Sequence, residues 1–243
     1  MRPLTSFSPN NLDIFRKGHI LASMSERIRQ TGQNEYKNVR ELPDHPFDTG
    51  VLYHFLQGYD APRDKIHRML SRGMLIQLKR GLFVKAPAYG GHIRPFEIAN
   101  LLYGPSHVSF ETALGYYGLI PERVDTVISA TSKRKAQFST PVGRFEYRYL
   151  NQARYAIGFT WQHEEGHAFL IATPEKALAD VIAGIPGMAM RAMGRFLEED
   201  LRVDIDEVLR LDPVQMESIA NAYSNRSVRA LARWMSKSRR KAE

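Results

Sequence analysis

Two residue patterns in this chain have the types and spacing to act on a ligand. The first is a set of cations: Arg63, Lys65, His67, Arg68 and Arg72 within Ala61–Gly73, followed at once by Lys79-Arg80-Gly81. Long donors along one helix can pair with phosphates, and arginine can hold a guanine edge through two hydrogen bonds. A Lys-Arg pair at a hairpin tip would reach the flanking backbone or the minor groove, with glycine supplying the tight turn. The second pattern is His163-Glu164-Glu165-Gly166-His167. Its letters match the H-E-x-x-H zinc-protease signature, in which a helix puts both imidazoles on one face and the glutamate polarises water. Here Phe159-Thr160-Trp161-Gln162 alternates before it and Ala168-Phe169-Leu170-Ile171 is strand-like after it. With Gly166 at a turn position the stretch predicts a hairpin, and zinc is not required to explain it.

Other charged groupings have simpler readings. Arg226, Arg229 and Arg233 recur at i, i+3 and i+7 near the C-terminus, with Lys237, Arg239, Arg240 and Lys241 beyond. They form either a solvated helix face or a second contact for a polyanion. Lys133-Arg134-Lys135 reads as a charged loop between strands that could also grip phosphate. Asp204-Ile205-Asp206-Glu207 suits the acidic start of a helix, where the dipole favours carboxylates. Glu175, Lys176 and Asp180 read as a capped amphipathic helix with a local ion pair. No Gly-rich phosphate loop, nucleophile elbow or thiol is present.

The elements that must carry these residues can be read from periodicity and punctuation. Leu12 to about Gln30 has helical spacing, and residues 31–46 are polar and Pro-containing, as in a linker or loop. Asp48 or Thr49 can cap a short helix running to Leu56. Pro62 fits the first turn of the basic helix, Ile66, Met69 and Leu70 make its apolar stripe, and Gly73 ends it. Leu75–Leu78 and Leu82–Val84 flank the basic turn as a hairpin. Helix, turn, basic helix and basic-tipped hairpin make a winged helix-turn-helix, bounded by Pro87 to Gly91. Short helices are expected at Pro95–Tyr103 and Ser109–Tyr117. Strands follow at Thr126–Ala130, Arg144–Leu150, Gly158–Gln162 and His167–Ile171. Further helices are expected at Thr173–Ala183, Met188–Leu201, Ile205–Leu211, Pro213–Tyr223 and from Ser227 to about Arg240.

Composition sets the frame. A chain of 243 residues can bury a substantial core and is long enough for two compact units. The net charge of +8 is unevenly distributed: +6 over residues 1–90, +2 over 91–150, −5 over 151–212 and +5 over 213–243. A basic front and a basic tail on either side of an acidic stretch suggest two separate polyanion-facing surfaces. With no cysteine there is neither a disulfide nor a thiolate ligand. No apolar stretch approaches the ~20 residues of a membrane span, and the expected location is the cytoplasm.

The order of several short motifs resembles the AbiEi family, the antitoxin and transcriptional-repressor half of bacterial type IV toxin–antitoxin modules. The carriers are Arg80-Gly81-Leu82-Phe83-Val84, Ile98-Ala99 with Gly104-Pro105-Ser106, Val108-Ser109-Phe110-Glu111-Thr112-Ala113-Leu114, and Tyr117-Gly118-Leu119-Ile120-Pro121. Val127-Ile128-Ser129-Ala130-Thr131, Phe138 with Thr140, Gly143-Arg144-Phe145-Glu146-Tyr147, and the run from Ile171 to Asp180 complete it. They span roughly Thr49 to Ala183. The resemblance implies a protein that represses its own operon through its winged helix. Its second domain would oppose a nucleotidyltransferase toxin without forming a stable complex with it. Residues 1–46 depart from the family pattern by adding a helix and linker that could dimerise the protein or pack on the wing.

The expected fold is therefore α+β. Residues 1–46 form an N-terminal helix and linker, residues 47–90 a winged helix-turn-helix DNA-binding domain, and residues 91–243 a mixed α/β antitoxin-type domain with a helical C-terminal tail. The expected partner is double-stranded operator DNA, contacted by Arg63, Lys65, His67, Arg68, Arg72, Lys79, Arg80, Arg226, Arg229 and Arg233. Neither catalysis, a cofactor nor a metal is expected. The alternatives are a stand-alone regulator without a toxin and a metal-dependent hydrolase using His163 and His167. Within the second domain, Glu111, Tyr117, Glu175 and Lys176 are the polar residues to watch, with structural pairing the simpler role.

Overall fold

The computed structural model describes residues 39–121 and 125–242. The helix expected at Leu12–Gln30 lies outside them. The described chain is a mixed α and β protein with two sheets.

The first sheet is small. Strand β1 (Phe47–Asp48) leads into helix α1 (Thr49–Phe55), whose start is capped by Asp48 Oδ1 accepting from the Val51 amide at 3.0 Å. Helix α2 (Pro62–Ser71) follows, then β2 (Leu75–Lys79) and β3 (Leu82–Lys85). β3 lies between β1 and β2, antiparallel to both. Arg80 and Gly81 form the hairpin turn, and the φ of +83° at Gly81 is a left-handed conformation that glycine adopts without a Cβ clash.

The position of β3 shapes the molecule. Its alternating residues are buried on both faces. Phe83 joins Leu52, Met69, Met74 and Leu75 in one cluster, while Leu82 and Val84 join Leu78 and the main core. Burying aliphatic side chains of this size is worth about 1.5–3 kcal/mol each, so the hairpin is fixed to the larger unit rather than swinging from it. Val39 and Leu42 also pack in the first cluster, and Lys85 Nζ donates to the Leu42 carbonyl at 2.9 Å. The described end of the segment read as a linker is thus core: two apolar residues find partners that a polar average over the window conceals.

The second sheet has six strands in the order β6-β7-β5-β4-β9-β8. The strands are β4 (Ser106–Val108), β5 (Thr126–Thr131), β6 (Ala136–Thr140), β7 (Gly143–Tyr149), β8 (Phe159–Glu164) and β9 (His167–Ala172). β5 with β7 and β4 with β9 are parallel, and the other pairs are antiparallel. Helix α3 (Pro95–Leu102) covers one face, where the Tyr147 hydroxyl donates to the Ala99 carbonyl at 2.7 Å. On the other face Phe110 of α4 (Phe110–Tyr116) packs on Ile128 and Ala130.

Short α5 (Gln152–Tyr155) precedes β8. After β9 come α6 (Pro174–Ala183), α7 (Met190–Arg195) with a π turn at Phe196–Asp200, α8 (Ile205–Arg210), α9 (Pro213–Tyr223) and α10 (Arg226–Ala242). Thr173, Asp204 and Asp212 cap α6, α8 and α9 through their side chains, as Ser/Thr/Asp positions before apolar runs do. α10 packs on α6, α7, α8 and α9. Among the described residues no helix is long and apolar enough to cross a membrane.

Candidate nucleic-acid interface

Helix α2 begins on Pro62, whose missing N–H falls where the helix has no acceptor for it. Met69 is buried, with Ile66 and Leu70 partly buried against the first cluster. The solvent side carries Arg63, His67, Arg68 and Arg72, together with Asp64 and Ser71. Arg63 Nε lies 3.3 Å from the Tyr53 hydroxyl, linking the exposed surfaces of α1 and α2. At the hairpin tip Arg80 is exposed.

Two of the expected contact residues have partners within the protein. Lys65 is only 6% exposed and sits on the core side of α2, with its ammonium 5.3 Å from the centroid of the Tyr59 ring. Its four methylenes pack like an aliphatic side chain while the charge rests on an aromatic face, an arrangement open to lysine but not to a shorter cation. Lys79 turns away from the hairpin tip: its Nζ donates to the Leu102 carbonyl at 2.5 Å. Leu102 ends α3, where carbonyls lack intrahelical donors and the dipole favours a cation. Lys79, itself exposed, thus braces the hairpin against α3, and Arg80 is the exposed cation at the tip.

Arg226, Arg229 and Arg233 are exposed on α10, and Lys237 and Arg240 continue the same line at four- and three-residue steps. Val228, Leu231, Ala232 and Met235 are buried on the opposite side. The stripe from Arg226 to Arg240 is about 21 Å long at 1.5 Å per residue. Arg239 departs from it, donating to the carbonyls of Leu209 (2.6 Å) and Leu211 at the end of α8. α2 packs on β2 and α10 on α6–α9, so the two basic faces are carried by different parts of the molecule.

The H-E-x-x-H letters fall on the hairpin of β8 and β9, with Glu165 and Gly166 at its turn and both at positive φ. Glu164 pairs with His167 and His163 with Ala168. Side chains alternate across a sheet, so His163 and His167 point to opposite faces and cannot share one ion. Among the described residues no three His, Asp or Glu side chains converge as metal ligands.

The ion pair expected on α6 forms and is the heart of a buried polar centre that the sequence did not reveal. Lys176 and Asp180 are both fully buried and paired at 2.5 Å. Lys176 Nζ also donates to the Tyr223 hydroxyl at 2.6 Å, and that hydroxyl donates to Asp180 Oδ1. Ser109 Oγ donates to Asp180 Oδ2 at 2.6 Å. Burial pushes the Lys176 pKa down, against the pull of Asp180, and pushes Tyr223 up. Beside this centre His107 lies buried, its ring stacked at 4.8 Å on Phe159. Neither of its nitrogens has a hydrogen-bond partner. Burial first, and the Lys176 charge second, push its pKa down to about 3.

The only signal of this centre in the sequence is Lys176 and Asp180, four apart in a largely apolar helix. Of the other polar residues singled out, Glu111 pairs with Arg148 at 3.0 Å and Glu175 accepts from the Asp212 amide at 2.9 Å. Tyr117 is half-buried, and burial raises its pKa. These are structural pairings.

The chain matches no family model and no curated protein.

Proposed function

We propose that this protein is a sequence-specific DNA-binding repressor of the AbiEi antitoxin type that acts on its own operon. The observation that carries the reading is the exposed cationic face of α2 followed by an exposed arginine at the tip of a rigidly seated hairpin. The order α1, turn, α2, β2, β3, with β1 completing the sheet, supports assigning residues 47–90 as a winged helix-turn-helix. In that assignment α2 enters the major groove and the wing lies along the flanking backbone. Arg63, His67, Arg68 and Arg72 are the reading or phosphate-binding residues and Arg80 the wing contact. Lys65 and Lys79 hold the unit together. The arginines of α10 form a second anionic-ligand face, and residues 91–243 are the antitoxin-type domain. A nucleotidyltransferase toxin as functional partner rests on the motif resemblance alone.

The test is binding of the full chain to the DNA just upstream of its gene, against random duplex of equal length, across a salt series. Each neutralised phosphate contributes about −0.9 to the slope of log K against log salt. Selective binding with a steep slope supports the repressor. Equal binding to both duplexes rejects it.

A further inference from the structure

Beside the hairpin lies an open groove with a volume of about 1370 Å³. It runs between the loop at 132–135, the β6–β7 edge and the end of α3. Small-molecule pockets occupy roughly 300–1,000 Å³, so this open trough suits a length of polymer better than a compact ligand.

Its walls combine cations with aromatic faces. Lys133, Arg134 and Lys135 are exposed along one rim. The loop is braced: Lys133 Nζ donates to the Gly104 carbonyl at 2.5 Å, and the Tyr103 hydroxyl donates to the Arg134 carbonyl at 3.1 Å. Among the described residues no carboxylate pairs with Arg134 or Lys135. Arg148 also lines the groove, its guanidinium paired with Glu146 at 2.8 Å and Glu111 at 3.0 Å. Tyr149 follows it, 58% exposed. It shares a strand face with Tyr147, which is buried, but lies one step past the packed core.

We infer that this groove binds single-stranded nucleic acid, with a base stacked on Tyr149 and phosphates held by Arg134 and Lys135. An unpaired strand offers both a π-face and a backbone charge, which are the two features the groove supplies. A duplex keeps its base faces inside the stack and has no use for an exposed tyrosine. An acidic protein has no base to place there. The inference does not depend on the repressor reading, because none of the groove residues is assigned to the duplex contact.

The experiment is fluorescence anisotropy on the full chain with a labelled, non-self-complementary 12-nucleotide RNA, the same sequence as DNA, and the 12-base-pair duplex. Tyr149→Ala should weaken binding of the single strands about 5- to 150-fold, the range seen for loss of one stacked base, with duplex affinity changed less than about twofold. Tyr149→Phe should retain binding, and Arg134→Gln with Lys135→Gln should weaken it and flatten its salt dependence. A preference for the RNA strand or the DNA strand identifies the source of the ligand. Arg80→Ala, read on the same probes, should affect only the duplex, so failure of the repressor reading leaves a separate signature. Single-strand binding unchanged by Tyr149→Ala, an equal loss on duplex and single strands, or equal displacement by polyglutamate would overturn the inference.

Discussion

Replacing His107 with phenylalanine should flatten the acid limb of this protein's stability curve. The wild-type ring is buried with no hydrogen-bond partner, and its pKa is pushed from the usual 6.5 down to about 3. Above pH 6.5 the imidazole is neutral in both folded and unfolded chains and adds no pH dependence. Below 6.5 the unfolded chain takes up a proton that the folded ring refuses, so stability falls with falling pH until about pH 3. A separation of 3.5 units at 1.36 kcal/mol per unit bounds the total loss at about 5 kcal/mol. Over pH 6 to 4.5, the window before most carboxylates titrate, the loss is about 2 kcal/mol.

Phenylalanine keeps a flat ring against Phe159 and Tyr155 and removes both unpaired nitrogens. Urea unfolding followed by the fluorescence of Trp161 and Trp234, at pH 6, 5.2 and 4.5, compares the two proteins. All other groups titrate in both and cancel in the difference. The gap between wild type and variant should widen by about 2 kcal/mol toward pH 4.5. Parallel curves would refute the reasoning, since they would require the folded ring to accept its proton at an ordinary pH.

Three further outcomes test the buried centre and the interface. Asp180→Asn leaves the Lys176 ammonium buried without its counter-charge and should destabilise by about 3–5 kcal/mol in chemical denaturation, whereas Lys176→Met with Asp180→Leu should recover most of that. Arg68→Ala should weaken specific DNA binding by about 1–3 kcal/mol if it reads a base; if it holds phosphate, the salt slope should instead drop by about 1 for all sequences, and gel-shift titrations on operator and random duplex separate the two. Lys65→Met should leave both affinity and salt slope unchanged in the same titrations, because its charge lies on Tyr59; a slope reduced by about 1 would return Lys65 to the interface.

The elements were largely legible because their signals are local. Asp48, Thr173, Asp204 and Asp212 each stand before an apolar run and each caps a helix. The β8–β9 hairpin followed from alternation around Gly166, and its register then separates His163 from His167. Strand β4 was missed because three residues between Gly104-Pro105 and a helix carry no periodicity, and β6 because one short edge strand after a charged loop looks like more loop. The helical stripe predicted at Ile66, Met69 and Leu70 holds, yet the same pattern placed Lys65 in solvent. A lysine beside an apolar stripe can pack either way, and Tyr59, six residues earlier, decides it.

The site was less legible because its geometry depends on long-range packing. Lys79 looks like a tip cation until the hairpin docks on α3 and offers it the Leu102 carbonyl, 23 residues away. Lys176 and Asp180 announce a pair, but Ser109 and Tyr223 reach Asp180 from 71 and 43 residues away. Only their meeting turns a surface-type ion pair into a buried one. The same docking that ties Lys79 to α3 also constrains the basic surface. With the hairpin sealed to the second unit through Leu78, Leu82 and Val84, α2 and Arg80 cannot reorient independently of the β6–β7 groove. Any nucleic acid bound by one must therefore fit a surface whose spacing to the other is set by the core, and a single change in that core, such as Leu82→Ala, should disturb duplex and single-strand binding together while Arg80→Ala and Tyr149→Ala disturb them separately.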